Sequence, residues 1–267
     1  MEIFPQTYFS ESQGGVLDFG TVVHTDTADG TPEVLLVCEH ASNRIPEFLG
    51  DMGLTAEARD SHIAWDPGAL GVAQHMAARM SAPLIYGGVS RLVYDCNRPP
   101  EAPGAMPFKS EEYEIPANVS MTPKERQARI ENVYAPFSDA LSAQIAQNRS
   151  SLKLMVTVHS FTPVYHGQQR DVELGLLHGR DDRFAVAMME AAPPNAPFVT
   201  RLNEPYSATD GVAHTLDAHA NANVLPNVMI EIRNDLIRTP DQQSAMADYL
   251  VPWINRILAE FPEGGAT

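Results

Sequence analysis

The sequence predicts an α/β fold in which helices cover a largely parallel sheet, and three observations predict it. Apolar runs of strand length, among them VLLVC, APLIYGG, KLMVTV and PFVTRL, alternate with segments whose apolar residues recur at helical spacing. Such alternation is the pattern of strand–helix–strand units. The chain has 267 residues, 44% of them hydrophobic, enough for one sizeable core. Three of the apolar runs end on titratable groups: VLLVCEH on Glu39 and His40, LMVTVHS on His159, and NVMIEIRND on Glu231 and Arg233.

The elements follow in order. A strand at about 34–38 precedes DPGALGVAQHMAARM, where Leu70, Ala73, Met76, Ala77 and Met80 share a helical face behind Asp66 as cap and Pro67 in the first turn. APLIYGG is a strand, RLVYDCN a second strand or an extended edge segment, and NRPPEAPGAMP at 97–107 a surface loop. TPKE at 122–125 combines a threonine cap, a first-turn proline and a glutamate three residues after the cap, which marks a helix start. Its stripe runs through Ile130, Val133, Tyr134, Phe137, Leu141 and Ile145, with a kink or break expected at Pro136. KLMVTV and DVELGLLHG are strands, DRFAVAMMEAA a helix, PFVTRL a strand, and TPDQQSAMADYLVPWINRILAEF a closing helical region interrupted near Pro252. No repeat or linker divides the chain, so residues 1–267 read as a single domain.

Composition excludes several classes of function. A formal net charge of −16, from 34 acidic and 18 basic residues, opposes general binding to a phosphate backbone. It also makes any arginine in a cleft informative, because an anionic ligand must be held against the overall field. No run approaches the roughly 18 apolar residues of a membrane span. MEIFPQTYFSES has neither the basic nor the apolar part of a secretory signal. Cys38 and Cys96 sit in or beside apolar runs, as buried thiols do, and a cytoplasmic setting is expected.

In parallel sheets ligands bind beyond the carboxyl ends of the strands. Each of His40, His159 and Glu231 alone has a structural explanation, such as a strand end or, for Glu231, an ion pair with Arg233. Three such groups on three strand ends point to chemistry. Neutral imidazoles are good ligands for zinc, an ion with an open position lowers the pKa of water to about 7, and a nearby carboxylate can carry the proton. Metal-assisted hydrolysis needs that set.

The segments EHASNRIP, WDPGALG, SRLVYDCNR, VHSF, NEPYSATDG and IEIRND, in this order from about residue 34 to 238, resemble the N-formylglutamate amidohydrolase family. The resemblance implies a three-layer α/β/α sandwich with a mixed, largely parallel sheet, of the zinc-exopeptidase-like (phosphorylase/hydrolase-like) kind, and hydrolysis of N-formylglutamate, or another N-acyl amino acid, to the free acid and amino acid. It implies a divalent ion, zinc foremost, held by His40 and His159, with Glu231 as proton shuttle. Arg91, Asp95, Asn97 and Arg98 fall on the family's Arg, Asp, Asn and Arg positions, so Arg91, Asn97 and Arg98 are expected to bind substrate. Tyr206 and Arg233 are further binding candidates. Asp66 is chosen as third metal ligand, with helix capping as its other role; Glu39 and Asn43 are the alternatives. The chain departs from the family where other members read PHSG and it reads CEHASN, which leaves the acyl group and amino acid open.

His219 is a candidate for polarising the reacting carbonyl, with a supporting or solvated position as the alternative. It lies five residues after His214, off the face an i,i+4 metal pair would share. Ser160 lacks the Gly-x-Ser-x-Gly elbow and reads as a backbone-bonding hydroxyl. The expected partner is a small anionic N-acyl amino acid, with no nucleic acid and no membrane; an oligomer is compatible. The competing readings are a noncatalytic binder of small anions with the same fold, and a cysteine hydrolase using Cys38 or Cys96.

Overall fold

The structure, a computed structural model, describes residues 17–207 and 210–261. The MEIFPQTYFSES stretch and residues 208–209 of NEPYSATDG lie outside them. In chain order the strands are β1 (Val23–Asp26), β2 (Val34–Cys38), β3 (Leu84–Gly87), the short ribbon β4 (Lys109–Ser110) with β5 (Tyr113–Glu114), β6 (Leu154–Phe161), the ribbon β7 (Val164–Tyr165) with β8 (Gln168–Gln169), β9 (Leu174–Leu177), β10 (Thr200–Leu202) and β11 (Asn227–Arg233). The helices are α1 (Ala56–Asp60), α2 (Ala69–Met80), α3 (Pro116–Val119), α4 (Pro123–Arg129), α5 (Ala135–Gln147), α6 (Arg183–Glu190) and α7 (Pro240–Glu260).

The main sheet has the order β1-β3-β2-β6-β11-β9-β10. Its centre, β3-β2-β6-β11, is parallel, while β1 runs antiparallel to β3 and β9 antiparallel to β11. This is the mixed, largely parallel sheet the resemblance implies. Every residue of β2 and β6 is buried, because alternate side chains enter two different cores. Leu36, Val156 and Ile230 pack with Val72 and Met76 of α2, Phe184 of α6 and Leu250 and Trp253 of α7. Leu35, Val37, Met155 and Met229 pack on the other side with Phe137 and Leu141 of α5 and with Leu216. Each large apolar side chain so buried stabilises the fold by about 1.5–3 kcal/mol, and the outcome is three layers, α/β/α.

Four local expectations are corrected. Helix α2 starts only after Gly68, whose φ is 84°, and a Cβ there would meet the Ile237 carbonyl at 2.3 Å. The late start rotates the buried face to Ala69, Val72, Ala73 and Met76, so Leu70 is only partly covered and Asp66 is free of the cap. RLVYDCN forms no strand: Val93 N donates to Ser90 O and Arg98 N to Asp95 O, giving two successive turns in a buried loop. The following loop is not wholly on the surface, since Ala105 and Met106 are buried anchors. Helix α7 runs unbroken through Pro252, whose side is exposed while Leu250, Val251, Trp253 and Ile254 hold the helix to the core.

At Pro136 the expected break takes a specific form. The capping box of Thr122 and Glu125 starts α4 as predicted. A π-turn over Ile130–Tyr134 then widens the helix just before Pro136, where a proline ring would otherwise press on the carbonyl four residues back. Among the described residues, no helix is long and apolar enough to cross a membrane.

Candidate active site

Three strand ends meet at one point. The register pairs His159 of β6 with Glu231 of β11, which puts both on the same sheet face. After β2 the chain turns, and both Glu39 and His40 reach the cluster, Glu39 beside His159 and His40 beside Asp66. Asp66 is held against His40 through the backbone, its N–H donating to the His40 carbonyl at 2.9 Å. Its Oδ2 lies 2.9 Å from His159 Nδ1 and 3.3 Å from His40 Nδ1, and the Ser160 N–H donates to it at 3.3 Å. His40, Asp66 and His159 each offer a ligand atom within 4.8 Å of the other two, and the residues are 2–3% exposed.

A carboxylate backs each imidazole. His40 Nε2 lies 2.7 Å from Asp95 Oδ1, which also accepts from the Asn97 N–H. His159 Nε2 lies 3.0 Å from Glu39 Oε2, a contact out of line for a hydrogen bond. Arg91 binds across the cluster, Nη1 to Asp66 Oδ1 at 2.9 Å and Nη2 to Asp95 Oδ2 at 3.5 Å. The neighbouring strand leaves room: Gly175 pairs with Glu231, and a Cβ on it would meet the Glu204 carbonyl at 2.2 Å.

Burial works against every charge here, and the partners overcome it. The Glu39 and Asp66 carboxylates hold His159 well above the ordinary histidine range despite desolvation. The same opposition resolves downward for Asp66, where His40 and Arg91 outweigh burial, and for Asp95, where His40 and Arg91 do so. Glu231 goes the other way. Burial pushes its carboxyl up to about 7, with Asp66 adding to the rise and His159 opposing it, and its buried Oε2 has no hydrogen-bond partner among the described residues. A carboxyl tuned toward neutral pH suits proton transfer in either direction.

Above this floor opens a cleft of about 860 Å³. His40, Asp66, His159, Glu231, Arg91, Asn97, Arg98 and Tyr206 all line it. Asn97 uses both ends of its amide as a clamp, Nδ2 donating to Val212 O at 2.6 Å and Oδ1 accepting from Thr215 N–H at 2.9 Å. Arg98 donates from Nη1 to the carbonyls of Asn97 and Gly211. Ser160 bonds a backbone carbonyl, that of Pro67, at 2.9 Å, in keeping with its reading as a structural hydroxyl.

Two expected residues stand elsewhere. Arg233 is not on the cleft lining, because Glu173 at 3.0 Å and Asp235 at 2.8 Å hold its guanidinium. His219 is buried outside the lining, 3.4 Å from Ser138 Oγ, where burial, then His214, depresses its pKa to about 4. Asn43 donates from Nδ2 to Arg59 O and to Asp60 and is not on the cleft lining. Both cysteines are free and fully buried, and burial, then nearby carboxylates, pushes their thiols well up, which disfavours a thiolate nucleophile. Sequence reasoning missed Arg170, which lines the cleft from the loop after the β7–β8 ribbon, where no periodicity marks it.

Comparison with known proteins places the fold and the family. A crystal structure of a gene product of Agrobacterium tumefaciens is similar with a TM-score of 0.88 and 49% identity, covering 91% of this chain and 97% of that one. The N-formylglutamate amidohydrolase of Ralstonia eutropha shares the fold, with a TM-score of 0.61, 17% identity, and coverage of 90% and 97%. No curated protein matches. The family pattern described as N-formylglutamate amidohydrolase matches residues 32–238, the span that carries β2, Asp66, Arg91, β6 and β11, and the chain therefore belongs to the N-formylglutamate amidohydrolase family, enzymes that hydrolyse amide C–N bonds.

Proposed function

We propose that the cleft is the active site of a metal-dependent amidohydrolase that cleaves an N-formyl or other N-acyl amino acid, foremost N-formylglutamate, to formate and glutamate. The observation that carries this reading is the approach of both His40 Nδ1 and His159 Nδ1 to Asp66 Oδ2, the three residues offering ligand atoms within 4.8 Å of one another, together with a buried Glu231 oxygen that has no partner among the described residues.

The donor set fits a divalent cation. Glu39, Asp66, Asp95 and Glu231 crowd four carboxyls around two imidazoles and one guanidinium, an acidic excess that an ion of charge two would offset. Two nitrogens and one carboxylate oxygen are a zinc set. His40, His159 and Asp66 would hold the ion, and it would supply Lewis-acid polarisation of the amide carbonyl and a lowered pKa for water.

The chain's own groups do the rest. Asp95 is hydrogen-bonded to His40 Nε2 and the negative charge of Glu39 lies 3.0 Å from His159 Nε2, so both favour a proton on Nε2 and a lone pair on Nδ1 toward the shared point. Arg91, fixed to Asp66, sets a positive charge where the carbonyl oxygen gains negative charge. Glu231 accepts the proton of the attacking water and delivers it to the departing nitrogen, which leaves poorly unless protonated. Arg98 takes a substrate carboxylate by charge-assisted hydrogen bonds. The substrate is thus a small N-acyl amino acid anion, and the two free thiols suit a reducing compartment such as the cytoplasm.

The test is metal analysis, then chelation and zinc add-back, while N-formyl and N-acetyl amino acids are assayed. Turnover should vanish on chelation and return with zinc, with N-formylglutamate leading the panel. Turnover indifferent to chelation would exclude the metal mechanism.

A further inference from the structure

Four arginines line the cleft: Arg91, Arg98, Arg170 and Arg201. Two are already ion-paired. Arg91 bridges Asp66 and Asp95, and Arg201 lies 3.6 Å from Glu204. Among the described residues neither Arg98 nor Arg170 forms an ion pair with an acid, although the chain carries a net charge of −16.

Arg170 is held by means other than charge. Its guanidinium carbon lies 4.5 Å from the ring centre of Tyr165, 5.0 Å from that of Tyr206 and 5.5 Å from that of Phe161. Its Nη1 donates to Thr162 O at 3.2 Å and to the Tyr206 hydroxyl at 3.3 Å. Its carbonyl accepts from Arg233 at 3.3 Å, and Arg233 is itself tied to Glu173 and Asp235. Backbone and guanidinium plane are thereby both fixed, while no described residue accepts from Nε or Nη2. That free edge presents two parallel N–H groups, the geometry a carboxylate meets in a bidentate pair. Aromatic faces attract the cation without neutralising it, so its full charge stays available to a ligand in the cleft.

We propose that Arg170, cradled by Phe161, Tyr165 and Tyr206, is the specificity determinant that takes the second carboxylate of the substrate, restricting the cleft to N-acyl derivatives of acidic amino acids. The inference rests on the amide hydrolysis proposed above. It adds that the two lining arginines outside ion pairs match the two carboxylates of such a substrate, Arg98 taking one and Arg170 the other.

The experiment compares wild-type protein with Arg170→Gln and Arg170→Lys, each checked by thermal melting. Two readouts are taken: kcat and KM for N-formyl-L-glutamate against N-formyl-L-glutamine, and calorimetric binding of glutarate against butyrate. Losing a buried charged pair should cut the glutamate-over-glutamine ratio of kcat/KM by about 30-fold or more in Arg170→Gln, chiefly through KM. Arg170→Lys, which keeps charge but loses the fork, should fall between. Glutarate should bind wild type more tightly than butyrate does, and that margin should shrink in both variants. Equal losses on the two substrates, or an unchanged glutarate margin, would overturn the assignment. If wild type turns over neither formyl compound, the proposed reaction fails, and the glutarate margin alone then decides for or against Arg170. Should Arg170→Gln fail to fold, Arg170→Lys decides on the same two readouts.

Discussion

The floor of the cleft and its arginine wall are built by opposite means. His159 and Glu231 sit within strands and His40 just past one, and these residues with Asp66 are nearly sealed from solvent. Arg98, Arg170 and Tyr206 stand on loops, partly exposed, and are steadied by carbonyls and aromatic rings. In the floor, opposite charges hold one another in a dry setting where their interactions are strong. The wall keeps Arg98 and Arg170 outside ion pairs among the described residues. On the proposed reading the floor performs the reaction and the wall selects what is brought to it, so damage to the two should differ in kind.

The largest effect is expected from the floor's ligands. His40→Ala and His159→Ala should each lose bound metal, measured by elemental analysis, with activity falling to that of the chelated enzyme; wild-type occupancy in both would reject the site. Glu231→Gln keeps shape and removes the proton acceptor, so kcat should drop by about 10²–10⁴-fold with metal content retained. Normal turnover there would remove Glu231 from the mechanism. Glu39→Gln leaves the ion's ligands intact but weakens the hold on His159, and zinc affinity by chelator competition should fall about 10–100-fold.

A paired change separates the regions directly. Arg91→Lys cannot span Asp66 and Asp95 together, so it should lower kcat on acidic and neutral amides alike. Arg98→Lys should act mainly on KM, and mainly for acidic substrates. Matching profiles would show that floor and wall are one unit.

The smallest effect lies outside both regions. His219 has a folded pKa of about 4, below the roughly 6.5 of an unfolded histidine. Between these values the unfolded chain binds more protons, so the stability His219 contributes is full above about pH 6.5 and declines as pH falls toward 4, by at most about 1.4 kcal/mol per pH unit. Urea unfolding of His219→Gln should show a shallower acid decline than wild type, and identical slopes would refute this.

The same division explains what could be read from the sequence. A histidine or glutamate that interrupts an apolar strand is conspicuous, and parallel pairing brings such positions to one end, so His40, His159 and Glu231 were legible as a group. Asp66 was legible only as one of two roles, since its freedom from the cap depends on α2 starting after Gly68. Arg233 misled because strand alternation says nothing of acids in other loops: Glu173 and Asp235 had already claimed it. His219 likewise carried the right chemistry with no means of knowing which layer would cover it. Arg170 left no trace, because three rings from separate segments make its setting.

Gly175 bears on how this enzyme can diversify. Its neighbour across the sheet is Glu231, and the Glu204 carbonyl occupies the space where any side chain would begin. Mutation at that position has nowhere to go without dislodging Glu231 or the loop that bears Tyr206. New substrates in descendants of this chain are therefore expected from changes in the ribbon and loops around residues 162–171, 203–207 and 210–215, while Gly175 itself stays fixed.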